Sequence, residues 1–133
     1  MALAVSGHPA AVHVGAEGAV QLGGGTVLGA WAEAPPQSHE ATLLPSETLV
    51  LCTDGWFEAG PVSGHRTAEE LAEMAEAMAE LPLADLTENL RRDVLERSDE
   101  ALRDDVVLLA VRPTAQPSSN RSRTAVPRLE ERI

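Results

Sequence analysis

The chain has 133 residues, of which 44% are hydrophobic and 2% aromatic, and its formal net charge is −11. This composition excludes a wholly disordered chain and fits one domain, or part of one, with a core of Leu, Val and Ala. The acidic balance argues against nucleic acid and an anionic membrane as partners, and no apolar run approaches the roughly 18 residues of a membrane span. The single cysteine, Cys52, cannot form an internal disulfide, which predicts a cytoplasmic location.

Short apolar stretches separated by turn residues open the chain. Residues 2–6 and 10–14 flank Gly7-His8-Pro9, which predicts a strand and its return strand. Residues 15–18 predict a hairpin turn, after which residues 19–22 pair back. We therefore predict an antiparallel meander here.

The next segment is mostly loop. The glycines at 23–25 precede a β-type stretch, without the helix and lysine of a phosphate-binding loop, so that function is not predicted. Two adjacent prolines make residues 31–38 a loop. Residues 39–44 predict a strand, and Pro45-Ser46-Glu47 predicts the turn that follows it.

A buried strand then ends in a carboxylate. The apolar run from Leu49 to Cys52 leads directly into Thr53-Asp54-Gly55. The strand fixes the backbone of Asp54, and Gly55 permits a sharp turn or the close approach of another group. This pattern is typical of a carboxylate held at the rim of a sheet, and equally of an ordinary Asp-Gly turn.

Two amphipathic helices are predicted after this strand. Thr67 is an N-cap candidate with Glu70 completing a capping box, and the first helix covers 68–81. A second helix begins at residue 84 or 85 and ends near Arg97. The residues predicted to face inward are Leu71, Met74, Ala75 and Met78 in the first helix, and Leu86, Leu90, Val94 and Leu95 in the second.

The last predicted strand begins with two carboxylates. Asp104 and Asp105 precede an apolar, β-branched run that ends at Val111. If this strand lies antiparallel beside the earlier one, Asp54 converges with Asp104 or Asp105. Converging carboxylates repel each other unless a cation lies between them, and hard oxygen ligands suit Mg²⁺ or Mn²⁺. The alternative is a solvated charge pair at the start of a strand.

Four pieces occur in a fixed order: Ser6-Gly7-His8-Pro9, Val27-Leu28-Gly29, the stretch from Thr53 to Ala59, and Asp104-Asp105 before an apolar strand. Across about residues 2 to 112 this ordered set resembles the bacterial SpoIIE-like branch of the metal-dependent protein phosphatases, the PPM-type or protein phosphatase 2C superfamily. The resemblance implies an α+β fold, in which antiparallel sheets form a sandwich with flanking helices.

The resemblance also implies a chemistry and a set of site residues. It implies two Mn²⁺ or Mg²⁺ ions and the hydrolysis of phosphoserine or phosphothreonine on a regulatory phosphoprotein, such as an anti-sigma antagonist. Asp54 and Asp104 match metal ligands of the family. The positions that it puts beside these ligands or in their loops are His8, Gly55, Glu58 and Asp105. For His8, a turn residue whose ring bonds the backbone is the alternative.

Part of the family pattern is absent from this chain. The family carries its bridging aspartate in a Gly-Asp motif of its first half, and no Gly-Asp occurs before Asp54. We therefore expect residues 1–112 to be the C-terminal half of a phosphatase domain, with at most one half-formed metal site. Half a sandwich leaves strand edges and a sheet face uncovered, which predicts self-association or a partner that covers them.

Residues 113–133 differ in charge from the rest. They hold 4 Arg and 2 Glu, a net charge of +2, whereas residues 1–112 hold 19 acidic residues and 6 Arg, a net charge of −13. Together with their Pro and Ser content, this predicts a disordered tail.

Two functions remain open from the sequence. One is a protein serine/threonine phosphatase domain that is truncated or whose other half is encoded elsewhere. The other is a non-catalytic remnant that acts as a protein-interaction module.

Overall fold

A computed structural model describes residues 2–9, 11–23, 26–27, 37–60, 65–98 and 104–114. These residues form an α+β fold. In chain order the elements are β1 (Ala2–Val5), β2 (Ala11–Gly15), β3 (Gly18–Leu22), β4 (Gln37–Glu40), β5 (Thr48–Cys52), α1 (Asp54–Phe57), α2 (Ala68–Ala77), α3 (Leu83–Arg97) and β6 (Leu108–Val111).

A four-stranded antiparallel sheet carries the fold, in the order β3-β2-β5-β6. The apolar strand β5 lies between β2 and β6, and its residues are buried except for the partly buried Leu51. The predicted pairing of the two strands next to the aspartates is confirmed. Cys52 lies opposite Leu108 and Leu49 lies opposite Val111, so the end of β5 meets the start of β6.

The core lies between one face of this sheet and the two long helices. Alternate residues of β2 and β5 point to this face, as the period of a strand requires. The buried core residues of the sheet are Val12 and Val14 of β2 and Val50 and Cys52 of β5. Those of the helices are Trp56 of α1, then Leu71, Ala72 and Ala75 of α2, and Leu86, Leu90 and Val94 of α3, and Ala59, which follows α1, completes the core.

The predicted meander is wrong in its first pairing. β1 pairs with β4 in a separate two-stranded sheet, with Ala2 opposite Glu40, whereas only β2 and β3 form the predicted hairpin. The turn after β1 contacts residues farther along the chain. The Ser6 hydroxyl donates to the Thr26 carbonyl, and a Cβ on Gly7 would lie 2.9 Å from the Val27 side chain. These contacts join the turn to residues 26–27.

The strand predicted at 39–44 is shifted toward the N-terminus. β4 covers Gln37–Glu40, and residues 41–44 lie outside any strand. The Leu44 N–H donates to the Glu47 carboxylate at 2.9 Å, and the Glu47 N–H donates to the Leu44 carbonyl at 2.9 Å. The Leu44 N–H is therefore not available to a neighbouring strand. Its hydrogen bond to the carboxylate lowers the pKa of Glu47.

The first long helix begins as predicted and ends early. The Thr67 hydroxyl accepts from Glu70 N, and the Glu70 carboxylate accepts from Thr67 N, which is the predicted capping box. α2 ends at Ala77 rather than at residue 81. Arg112, the residue after β6, donates to the carbonyls of Ala79 and Leu81 at 2.6 and 3.0 Å, and so holds the turns that follow this helix.

In the second long helix, one predicted core residue is wrong. Leu86, Leu90 and Val94 are buried, but Leu95 is 46% exposed. The three buried residues are spaced by four and form one stripe, and Leu95 lies about 100° around the helix from Val94.

Several predictions fall on other parts of the chain. The greater part of the predicted loop at 31–38, two of the three glycines at 23–25 and the tail after residue 114 lie outside the described residues. Among the described helices, none is long and apolar enough to cross a membrane.

The capping box gives a stability prediction. Thr67→Ala removes the hydroxyl that accepts from Glu70 N at 3.2 Å. We expect a loss of about 1 kcal/mol in the free energy of unfolding by urea, and a much smaller loss for Thr67→Ser, which keeps the acceptor. Equal stabilities of the two variants would contradict this role.

Candidate active site

Asp54 lies at the point where β5 ends and α1 begins. The alternative of an ordinary Asp-Gly turn does not form: Asp54 and Gly55 begin a four-residue helix, in which Glu58 N donates to the Asp54 carbonyl at 3.0 Å. The Asp54 carboxylate is exposed, and its Oδ1 accepts from Gly55 N at 3.1 Å. The backbone on both sides of the carboxylate is therefore fixed, while the carboxylate itself faces solvent.

Thr53 joins this turn to the segment that carries the other aspartates. Its N–H donates to the Val107 carbonyl at 3.1 Å. Its hydroxyl donates to the Asp105 carbonyl at 2.9 Å and accepts from Val107 N at 3.0 Å. The side chain thus replaces a regular ladder bond and holds the residues just before β6 against the residue that precedes Asp54.

Gly55 makes the same approach possible from the other side. A Cβ at this position would lie 2.6 Å from the Asp105 carbonyl oxygen and 3.0 Å from its carbonyl carbon. The neighbour is backbone, which cannot rotate away as a side chain does. Only glycine lets the two segments come this close.

Asp104 lies in the segment that Thr53 holds. It is exposed, and its Oδ1 accepts from Asp105 N at 2.7 Å. Asp54 and Asp104 are therefore on neighbouring segments at one end of the sheet, and each has a second carboxylate oxygen without a hydrogen bond to the described residues. We call Asp54 and Asp104, with Thr53, Gly55 and Asp105 that hold them, the carboxylate site.

The other predicted site residues have smaller parts in the described structure. Glu58 is exposed and contributes its backbone N–H to α1. Asp105 contributes its backbone carbonyl to the Thr53 hydroxyl. His8 is exposed, and its Nδ1 lies 2.7 Å from the Pro9 carbonyl oxygen, which is the backbone bond expected of a turn residue.

The donors of the carboxylate site suit a hard cation. Carboxylate oxygens are the ligands of Mg²⁺ and Mn²⁺, and Mg²⁺ in proteins commonly keeps several waters and binds through one or two carboxylates. Within the described ranges, however, no group of three or more His, Cys, Asp or Glu side chains is arranged to hold a metal ion. Asp54 and Asp104 thus fit part of a coordination shell and not a complete one.

Arg66, which the sequence analysis did not identify, is a buried residue that contacts α1. Arg66 is 5% exposed, and its guanidinium lies 4.3 Å from the centroid of the Trp56 ring. The guanidinium also forms an ion pair with Asp93 of α3, and the backbone N–H of Arg66 donates to the Phe57 carbonyl at 2.9 Å. Burial lowers the pKa of Arg66, and the Asp93 charge opposes that shift. No sequence pattern separates Arg66 from the exposed arginines of α3.

Cys52 is next to the carboxylate site but buried. Burial raises the pKa of its thiol to about 12. We expect no reaction with a disulfide reagent at pH 8 while the chain is folded, and full reaction in urea, because the thiolate is the reactive species. Fast labelling of the folded chain would contradict this.

The close approach at Gly55 gives a second prediction. We expect Gly55→Ala to lower the free energy of unfolding by about 1–3 kcal/mol and to speed hydrogen exchange at Val107 N, because the Asp105 backbone must move. Gly15→Ala is the matched control, since its Cβ would lie 3.1 Å from an oxygen at the end of the Glu47 side chain rather than from backbone. Similar losses for both variants in urea unfolding would argue against the close fit.

Comparison with known proteins assigns the chain to a family. Residues 1–114 match the family model described as Stage II sporulation protein E (SpoIIE). A comparison with curated proteins found no match.

Solved structures show the same fold. The chain is similar to the SiaA-PP2C domain of Pseudomonas aeruginosa, with 25% identity and a TM-score of 0.62 over 77% of this chain and 42% of that one. It is similar to the RsbU and RsbW domains of Rv1364c from Mycobacterium tuberculosis, with 25% identity and a TM-score of 0.65 over 88% of this chain and 33% of that one.

The phosphatase domain of the cell fate determinant SpoIIE from Bacillus subtilis, presoaked with Mn, has a TM-score of 0.58 at 14% identity, over 90% of this chain and 58% of that one. This last likeness concerns the fold alone. The chain therefore spans between 33% and 58% of the three matched chains. The predicted α+β fold is confirmed, and the chain belongs to the SpoIIE family with the fold of PP2C-type phosphatase domains.

Proposed function

We propose that residues 1–112 are part of a metal-dependent protein phosphatase domain, which hydrolyses phosphoserine or phosphothreonine on a regulatory phosphoprotein such as an anti-sigma antagonist. The observation that carries this proposal is the junction of Asp54 and Asp104 through the Thr53 hydroxyl and the Gly55 backbone. Membership of the SpoIIE family and the likeness to PP2C domains support the phosphatase chemistry.

A cation is needed for this chemistry on electrostatic grounds. Residues 1–112 have a net charge of −13, from 19 acidic residues and 6 Arg, and the carboxylate site adds two exposed carboxylates where a phosphate dianion would dock. Like charges at contact distance repel strongly, so phosphate binding here requires that the local charge be reversed. Bound Mn²⁺ or Mg²⁺ would supply that charge and a water acidic enough to act as a nucleophile near neutral pH.

The residues of this chain would hold and orient the reacting groups. Asp54 and Asp104 provide the oxygen ligands, and Thr53 and Gly55 fix the separation of the two segments. Further ligands come from water or from residues outside the described ranges. Because the chain spans only part of the matched phosphatase chains, we propose that turnover requires those additional ligands.

Metal titration with matched variants tests the proposal. We expect Mn²⁺ to bind the chain with a dissociation constant below about 100 μM, equivalent to roughly −5.5 kcal/mol. Asp54→Asn and Asp104→Asn should each weaken binding at least about tenfold, because each removes one charged ligand. Asp85→Asn, on an exposed position of α3, is the control and should leave the affinity unchanged.

Hydrolysis of a phosphoserine peptide with Mn²⁺ present is measured on the same proteins. If Asp54→Asn and Asp104→Asn bind Mn²⁺ as tightly as the parent chain, the carboxylate site holds no cation, and the phosphatase proposal fails for this chain. Specific metal binding without hydrolysis would locate the missing catalytic groups outside the chain. Binding of a phosphoprotein with neither metal nor hydrolysis would instead support an interaction module.

A further inference from the structure

The short helix α1 carries Asp54 as its first residue and depends on its neighbours for stability. A helix of four residues is too short to be stable in water by itself. Its first turn is joined to the end of β5, because Trp56 N donates to the Thr53 carbonyl at 3.1 Å. The contacts at its other end decide how the helix is oriented, and with it the backbone of Asp54.

Arg66 makes two contacts with that other end. Its backbone N–H donates at 2.9 Å to the carbonyl of Phe57, the last residue of α1. Its guanidinium lies 4.3 Å from the centroid of the Trp56 ring, and the two residues are 5% and 0% exposed. A cation over an indole ring is attracted to it, and more strongly where water is excluded. Arg66 thus holds both the backbone and the fully buried side chain of α1.

The guanidinium is fixed in turn by α3. Its Nη2 donates to the Asp93 carboxylate, and to the Asp93 carbonyl at 3.3 Å. Asp93 precedes Val94, which is part of the buried core. Arg66 therefore connects α1 to a segment of α3 that the core holds in place.

We propose that Arg66 is a positioning residue for Asp54. Through Trp56 and Phe57 it fixes the orientation of α1, and so the place of the Asp54 carboxylate relative to Asp104. The Arg66 side chain is buried and acts through these neighbours rather than by touching a cation or a substrate. This inference rests on the proposed function, in which Asp54 and Asp104 bind a metal ion together.

The charge of Arg66 separates positioning from a direct electrostatic effect. That charge reaches the end of β5, where it opposes the rise in the pKa of Cys52. A positive charge near a cation site disfavours the cation, so if Arg66 acted through its charge alone, Arg66→Met would strengthen Mn²⁺ binding. Loss of positioning predicts weaker binding, because Asp54 is no longer held beside Asp104. The direction of the change therefore identifies the mechanism.

Mn²⁺ titration by calorimetry compares the parent chain with Arg66 variants. We expect Arg66→Met to weaken binding about tenfold, the lower end of the loss that follows when a group orienting a metal ligand is removed. Arg66→Lys keeps the charge and a donor for Asp93, so it should lose less. Arg92→Met is the matched control, because Arg92 is an exposed residue of α3 next to Asp93, and it should not weaken binding.

Hydrogen exchange tests the same inference without metal. The amides of Trp56 and Glu58 donate within the α1 turn, to the carbonyls of Thr53 and Asp54. In Arg66→Met we expect both to exchange at least about tenfold faster relative to the amides of the β2–β5 ladder, because α1 alone is released. A residue that only stabilises the core would speed exchange in the ladder and in α1 alike. Arg92→Met should leave the ratio unchanged.

Two results would overturn the proposal. One is α1 exchange that is unchanged relative to the ladder in Arg66→Met. The other is Mn²⁺ binding that depends on Asp54 in the parent chain and is as tight or tighter in Arg66→Met. If the parent chain binds no Mn²⁺ through Asp54, the phosphatase proposal fails, and the exchange ratio still decides whether Arg66 holds α1. Circular dichroism checks the fold, and if Arg66→Met does not fold, Arg66→Lys decides by both measurements.

Discussion

The Thr53 hydroxyl is the contact on which the candidate site depends. It bonds the Asp105 carbonyl and the Val107 N–H at once, across 52 and 54 residues of chain. The β5–β6 ladder and the bond from Thr53 N to the Val107 carbonyl pair the two strands, and the hydroxyl adds the contact with the Asp105 carbonyl, next to Asp104. Gly55 complements it by leaving room for the Asp105 backbone. The Thr53 hydroxyl and the absence of a side chain at Gly55 therefore let the Asp105 backbone lie against the end of β5.

The sequence predicts the parts of the fold that depend on local pattern. The sequence alone predicts the apolar run of β5, the apolar run that follows Asp104 and Asp105, and the capping box at Thr67. The antiparallel pairing of β5 with β6 follows if the aspartates of the two segments are assumed to lie together. The pairing of β1 with β4 was not predictable, because Val5 lies opposite Gln37, far away in the chain, and no local pattern in either strand identifies the partner.

In the candidate site, too, the sequence identifies some residues and only the tertiary structure reveals others. The aspartates could be named from their positions at strand ends. The role of Thr53 could not, because its second partner is known only once the register of β6 is fixed. The role of Arg66 could not be predicted either, because no sequence pattern distinguishes a buried arginine from an exposed one. Its stacking on Trp56 and its ion pair with Asp93 depend on the tertiary positions of α1 and α3.

Arg112 couples the end of the last strand to distant parts of the molecule. Its guanidinium bonds Thr48 at the start of β5 and two carbonyls beyond α2, up to 64 residues away. If β6 detaches from the sheet, these bonds and all three Thr53 bonds are lost in the same event. Opening of this strand is therefore a single cooperative unit of local unfolding, in which the helix end and the aspartate junction lose their order together. Because all these contacts are non-local, they are also costly in chain entropy and should form late in folding.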